Sequence, residues 1–152
     1  MDHIAILRKA KLKKGDNLLK DILSGTKTIE SRWYVNKIVP WDKIKIGDTV
    51  YFKESGSPIV AKALVSNVLQ YSNLTPDLVA TIITKYGKYI SPKISLTEFL
   101  SWGEKQTSKK YCILVFLEKV EEILPFNIDK TGFGISSAWL VIPDISKIKI
   151  SI

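Results

Sequence analysis

The apolar positions of this chain change period several times, and each change marks an element. Residues 4–7, "IAIL", form a short apolar run suited to a first strand. The basic stretch "RKAKLKKGD" follows. Asp16 then stands where an N-cap belongs, ahead of Leu18, Leu19, Ile22 and Leu23 at helical spacing. Gly25 sits just past Ser24, at the helix stop where glycine takes the left-handed conformation without strain. Residues 27–32, "KTIESR", alternate as a strand and carry the β-branched Thr28 and Ile29. "NKIVPWDKIKIGD" reads as an irregular crossing with a turn after Pro40. Gly47 and Asp48 end it before the strand "TVYFKE", in which Tyr51 and Phe52 point to opposite faces. "SGSP" is a tight turn, so this strand forms a hairpin with the long run 59–71. That run is long enough to bend around a small barrel.

Thr75 caps the next helix, with Pro76 at its first position and Asp77 in its first turn. Leu78, Val79, Ile82, Ile83 and Tyr86 make its apolar face. Ser95 and Glu98 form the S-x-x-E capping box of a shorter helix ending near Gly103, on which Trp102 reads as packing. "YCILVFLEKVEEILPF" is the strongest strand signal, and its unbroken apolar centre predicts burial on both faces. "KTGFGISSAWLVIPDISKIKI" joins a glycine-bearing loop to an apolar strand and a closing strand. The sum is an α+β chain: one domain over residues 1–152, a small mixed β-barrel with about three helices covering its openings.

Composition removes several function classes. No apolar run approaches the roughly 20 residues of a membrane helix. The first 16 residues lack the apolar centre of a signal peptide, so a cytoplasmic protein with no membrane partner is expected. One cysteine, Cys112, and one histidine, His3, exclude an internal disulfide. They also argue against a zinc site or a Ser-His-Asp centre, so neither metal nor organic cofactor is expected. Lys and Arg number 23 against 15 Asp and Glu, and the net charge of +8 attracts polyanions. The charge therefore points to nucleic acid, or a nucleotide piece of one, although a lysine-rich composition also follows from genome base composition. Arginine occurs only at Arg8 and Arg32, and its planar fork singles out Arg32.

The candidate chemistry lies in "LSGTKTIESRWY", where Lys27, Glu30 and Arg32 are followed by Trp33 and Tyr34. Alternation puts Thr28, Glu30 and Arg32 on one face and Lys27 on the other, so a twist or bulge must unite them. An enclosed Lys27 can hold a phosphate or carbonyl oxygen, or transfer a proton with a shifted pKa. Glu30 can accept from a base amino group or act as a general base, and Arg32 can orient it or fork onto phosphate. The plainer alternatives are a solvated lysine at a helix end and a surface ion pair worth about 0–1 kcal/mol. Trp33, Tyr34 and Trp41 offer base stacking at roughly 1–3 kcal/mol per base, or belong to the core. In "TGFGISSAWL", Gly132 and Gly134 allow close backbone approach, Ser136 and Ser137 supply hydroxyls, and Trp139 can close a pocket. The alternative is a turn entering a buried strand. Lys9, Lys11, Lys13, Lys14, Lys109 and Lys110 either track a phosphate backbone or form a solvated face.

"ILSGTKTIESR" resembles the ASCH-domain signature G-x-K-x-x-E-x-R, with Gly25, Lys27, Glu30 and Arg32 at the matching positions. "IKIGDTVYF" resembles the next family element, a Gly-Asp turn entering a strand. The resemblance implies a PUA-like barrel with a cleft on one side, acting on RNA or a modified nucleoside. Relatives divide into RNA-binding modules, proteins associated with ribonuclease activity, and a branch that hydrolyses N4-acetylcytidine. That branch is understood to use the signature Lys, a Thr three positions later and a distant Glu, whereas here the position three after Lys27 is Glu30. The expected function is an RNA-binding module recognising RNA or a modified nucleoside in a cleft lined by Lys27, Glu30, Arg32, Trp33, Tyr34, Trp41, Ser136 and Trp139. The alternative is a metal-independent hydrolase of RNA or of a modified nucleoside. Lys27 would then stabilise an oxyanion, and Glu30 would activate water.

Overall fold

The computed structural model describes residues 1–8, 17–134 and 136–150. Asp16 and the lysines at 9, 11, 13 and 14 lie outside the described residues. Strand β1 (Asp2–Leu7) is followed by helix α1 (Leu18–Ser24), strands β2 (Ile29–Tyr34), β3 (Thr49–Glu54) and β4 (Ile59–Tyr71), then helices α2 (Pro76–Ile90) and α3 (Leu96–Glu104). Strands β5 (Tyr111–Ile128), β6 (Trp139–Ile142) and β7 (Lys149–Ile150) complete the order. Among the described residues no helix is long and apolar enough to cross a membrane.

Local chemistry explains the helix ends. The cap of α1 is Asn17, whose side chain accepts from Lys20 N at 3.0 Å. Gly25 closes the helix at φ 81°, with its N–H on Ile22 O at 3.1 Å. Ile22 is fully buried and Leu18 and Leu19 pack beside it, but Leu23 is exposed, because the inward face of this short helix is centred on Asp21 and Ile22. Thr75 and Ser95 cap α2 and α3 through Leu78 N and Glu98 N. Gly103 lies inside α3 and has a packing role. A Cβ there would meet Ile83 Cδ1 at 2.5 Å and Val79 Cγ1 at 3.1 Å, so the glycine lets α3 approach α2.

The sheet runs β2-β5-β4-β3-β1-β6, with β7 pairing β5. β1 and β3 are parallel and the other pairs antiparallel. Three register shifts along β4–β5 bend these long strands, and the mixed sheet of this α+β fold curls into an open barrel. Inside the curl, Ile113, Val115 and Leu117 of β5 meet Val50, Phe52, Ala61 and Ala63, with Ile22 of α1 against them. On the other face, Cys112 and Leu114 join Ile29 and the apolar sides of α2 and α3. β5 is thus buried on both faces at its apolar centre, as its composition predicts.

A buried polar clamp fastens β1 to β6 and to the turn before β3. Trp139 Nε1–H donates to His3 Nδ1 at 3.1 Å, and His3 Nε2 lies 2.8 Å from Asp48 Oδ2. An indole N–H only donates, so Nδ1 is the acceptor, and neutral His3 carries its proton on Nε2 toward Asp48. Burial holds the His3 pKa below its ordinary value, opposed by the Asp48 hydrogen bond and charge. Because the folded pKa is depressed, the unfolded chain takes up the proton first as pH falls. His3 therefore contributes stability above about pH 6.5 that is lost below it. The melting temperature should fall between pH 7.5 and 5.5, and His3→Asn, which retains an acceptor for Trp139 but does not titrate, should show a shallower fall. Equal slopes would contradict this role for His3.

Candidate functional site

The strand begins at Ile29, one residue after Thr28, so strand alternation does not govern Lys27. Lys27 N–H bonds Asp21 O at 2.9 Å and Thr28 N–H bonds Tyr89 O at 3.0 Å, which ties this segment to the ends of α1 and α2. The Lys27 side chain is 1% exposed. Its Nζ donates to Ile29 O at 2.6 Å and Ile90 O at 2.7 Å, and lies 3.6 Å from Glu30 Oε1. The lysine therefore joins β2 to the end of α2 and still reaches Glu30, with no bulge in β2 itself. Burial pushes its pKa down; Glu30 opposes that shift and Arg32 adds to it.

Glu30 is also buried. Its Oε1 accepts from Ser31 N at 3.1 Å. Its Oε2 lies 3.6 Å from Arg32 Nη2 and has no hydrogen-bond partner. A buried carboxylate oxygen beside a guanidinium but without a hydrogen-bond donor is unusual, since such groups are nearly always satisfied. Arg32 uses its fork elsewhere. Nη1 donates to Ala138 O at 3.1 Å and Nη2 to Ile6 O at 3.4 Å, and the guanidinium stands 5.1 Å from the Trp139 ring centroid. β2 and β6 are the two ends of the sheet path, so this side chain bridges the seam that backbone pairing leaves open.

Above Glu30 lies a cleft of about 400 Å³, within the roughly 300–1,000 Å³ of small-molecule sites. Lys27, Glu30 and Ser31 line it on one side, and α3 contributes Glu98, Phe99 and Trp102. Trp33 and Trp102 meet edge-to-face at 5.5 Å, and Trp33 Nε1–H is fixed on Ser31 Oγ at 3.0 Å. Trp102 also packs on Phe99 at 5.5 Å yet stays 38% exposed, so its ring is anchored and accessible.

The predicted residues separate into groups. Lys27, Glu30 and Trp33 share this cleft, while Arg32 and Tyr34 line an adjoining cavity. Trp139 is 3% exposed and stands behind Arg32 in the core. Trp41 packs on Tyr111 at 5.1 Å and lines neither cavity. Ser136 is exposed and also lines neither. Sequence reasoning assigned Trp102 to packing and passed over Glu98 as more than a cap. The signal was their i,i+4 spacing, which puts an aromatic and a carboxylate on one helix face.

No family model matches the chain, and no curated protein matches it. Solved structures do. The ASCH protein of Zymomonas mobilis aligns with a TM-score of 0.64 at 16% identity, over 96% of this chain and 91% of that one. A point mutant of the same protein gives 0.65 at 16%, over 96% and 93%. The N-terminal domain of Staphylothermus marinus McrB gives 0.51 at 12%, over 93% and 87%. At such identities the likeness is one of architecture. The chain has the fold of ASCH proteins, with the curled PUA-like sheet and three helices that its Gly25–Lys27–Glu30–Arg32 signature implied.

Proposed function

We propose that the protein is a nucleic-acid-binding module of the ASCH family that holds one base of an RNA, or a modified base, between Glu30 and the Trp33–Trp102 wall. The observation that carries this reading is Glu30 Oε2, a buried acceptor without a donor at the base of an aromatic cleft. A ligand N–H satisfies it, and an exocyclic base amine is the N–H that a flat, stacking ligand supplies. Lys27 and Arg32 flank the carboxylate, each 3.6 Å from one of its oxygens, and orient it. The net charge of +8 adds attraction for the backbone.

Single-stranded and hairpin RNAs, titrated by fluorescence anisotropy at low salt, are expected to bind with affinity that falls steeply as salt rises. Loss of the stacking wall in Trp102→Ala should weaken binding by roughly 5- to 150-fold, the equivalent of 1–3 kcal/mol. Absence of binding to every RNA at low salt would end the proposal.

A second reading is favoured by one observation: Lys27 has a depressed pKa beside Glu30 in a cleft, a pattern that gathers at reactive sites. In it, the pair hydrolyses RNA or a modified nucleoside such as N4-acetylcytidine without a metal. Against it, two Nζ donors are committed to the Ile29 and Ile90 carbonyls. Product analysis after incubation with N4-acetylcytidine and short RNAs tests it, and turnover no greater than that of a Lys27 variant would exclude it. That variant needs a folding control. Lys27→Met leaves two buried carbonyls and Glu30 without their cation, and is expected to lower stability by about 3–5 kcal/mol in denaturant melts.

A further inference from the structure

Ser31 holds two of the cleft's residues at once. Its backbone N–H donates to Glu30 Oε1 at 3.1 Å, and its Oγ accepts from Trp33 Nε1 at 3.0 Å. Consecutive strand residues point to opposite faces, so the side chains of Glu30 and Ser31 start apart. The bond from Ser31 N draws the carboxylate back around the strand, and both residues line the cleft. An indole N–H only donates, so the Ser31 hydroxyl keeps its own hydrogen, which has no acceptor among the described residues. The floor thus sets an acceptor, the Glu30 carboxylate, beside a donor, the Ser31 hydroxyl. The two differ in depth: Glu30 is 5% exposed, whereas Ser31 is half-buried.

A carboxylate only accepts, so the group that reaches the deeper position must carry an N–H and project from its ring. An exocyclic amine does both. The shallower hydroxyl then meets the ring atom beside that amine. In adenine and cytosine this atom is a bare nitrogen, which accepts. Uracil would set a carbonyl oxygen against the carboxylate. Guanine has an amine beside a bare nitrogen only along the edge that carries its ribose. We propose that Ser31 selects the base: its hydroxyl donates to the ring nitrogen beside the exocyclic amine, so the cleft takes adenine or cytosine in preference to uracil or guanine. This rests on the base-binding reading above and adds to it a second contact and a choice of base. Unpaired bases are read in this way, by hydrogen bonds along an edge while the ring stacks.

The test is fluorescence anisotropy at low salt with a short, labelled oligouridylate whose central residue is uridine, guanosine, cytidine, adenosine, 3-deazacytidine or 1-deazaadenosine. In the deaza forms a C–H replaces the ring nitrogen and the amine is kept. Cytidine and adenosine are expected to bind above uridine and guanosine. Each deaza form should bind about 2- to 12-fold more weakly than its parent, the worth of one hydrogen bond. Ser31→Ala should erase that deaza penalty, and Ser31→Thr, which keeps a hydroxyl, should retain it, with circular dichroism confirming both folds. Ser31→Ala also releases Trp33, so a merely structural role would weaken every RNA alike and leave the penalty in place, which would overturn the assignment. Parent and deaza forms of equal affinity in the native protein would overturn it too; with cytidine and adenosine still above uridine, the amine contact at Glu30 would stand. Guanosine level with cytidine and adenosine would overturn the choice of base. Uridine level with them, or no binding by any of these RNAs, would overturn both readings.

Discussion

The Lys27 ammonium organises this molecule. It is buried, and an unpaired buried cation is strongly disfavoured, so its three donor directions must be met. Two are met by the carbonyls of Ile29 and Ile90, residues from different elements, and the third side faces Glu30 at 3.6 Å. The end of α2 is thereby fastened to the start of β2, and a carboxylate is drawn into the interior beside it. Glu30 in turn attracts Arg32, which reaches across the open seam to Ala138 and Ile6. A three-residue ionic row thus closes the barrel edge and builds the floor of the cleft with the same atoms.

The arrangement leaves one imbalance. Lys27 and Arg32 spend their short hydrogen bonds on backbone carbonyls, and Glu30 receives one from Ser31, so Oε2 is left without a donor. Removing one partner of such a buried group is expensive, whereas a ligand that completes it gains the full interaction. Residues that tie the elements together and residues that line the cleft are therefore not separate sets here. Behind Arg32, Trp139 passes the support on to His3 and Asp48, so the cleft floor is continuous with the β1–β6 clamp.

Much of the architecture was legible because it depends on local chemistry. Thr75-Pro76, Ser95 with Glu98, Gly25 and the apolar centre of β5 each carry their own signal, and each element formed where that signal stands. The site was legible only in part. Lys27, Glu30 and Arg32 lie close in sequence, but what buries and fixes the Lys27 ammonium is in part Ile90 O, 63 residues away. Strand alternation separated Lys27 from Glu30 because it assumed strand where the chain is pinned to helix ends. Trp102 was read as packing from its place on the short helix, and it does pack on Trp33 and Phe99, but the sequence does not reveal that the same ring also lines the cleft. Trp41 and Ser136 lie away from the cleft and its adjoining cavity, since nothing in sequence reveals which side of a curled sheet a loop will face.

The most direct test of the central claim uses the four indole N–H signals as reporters. A single-stranded RNA is titrated at low salt into ¹⁵N-labelled protein. Resonances of Trp33 and Trp102, which wall the cleft, should shift saturably, while that of Trp41, packed on Tyr111 away from it, should hold. Saturable shifts at Trp41 with Trp33 and Trp102 unmoved would place the ligand elsewhere and contradict the account.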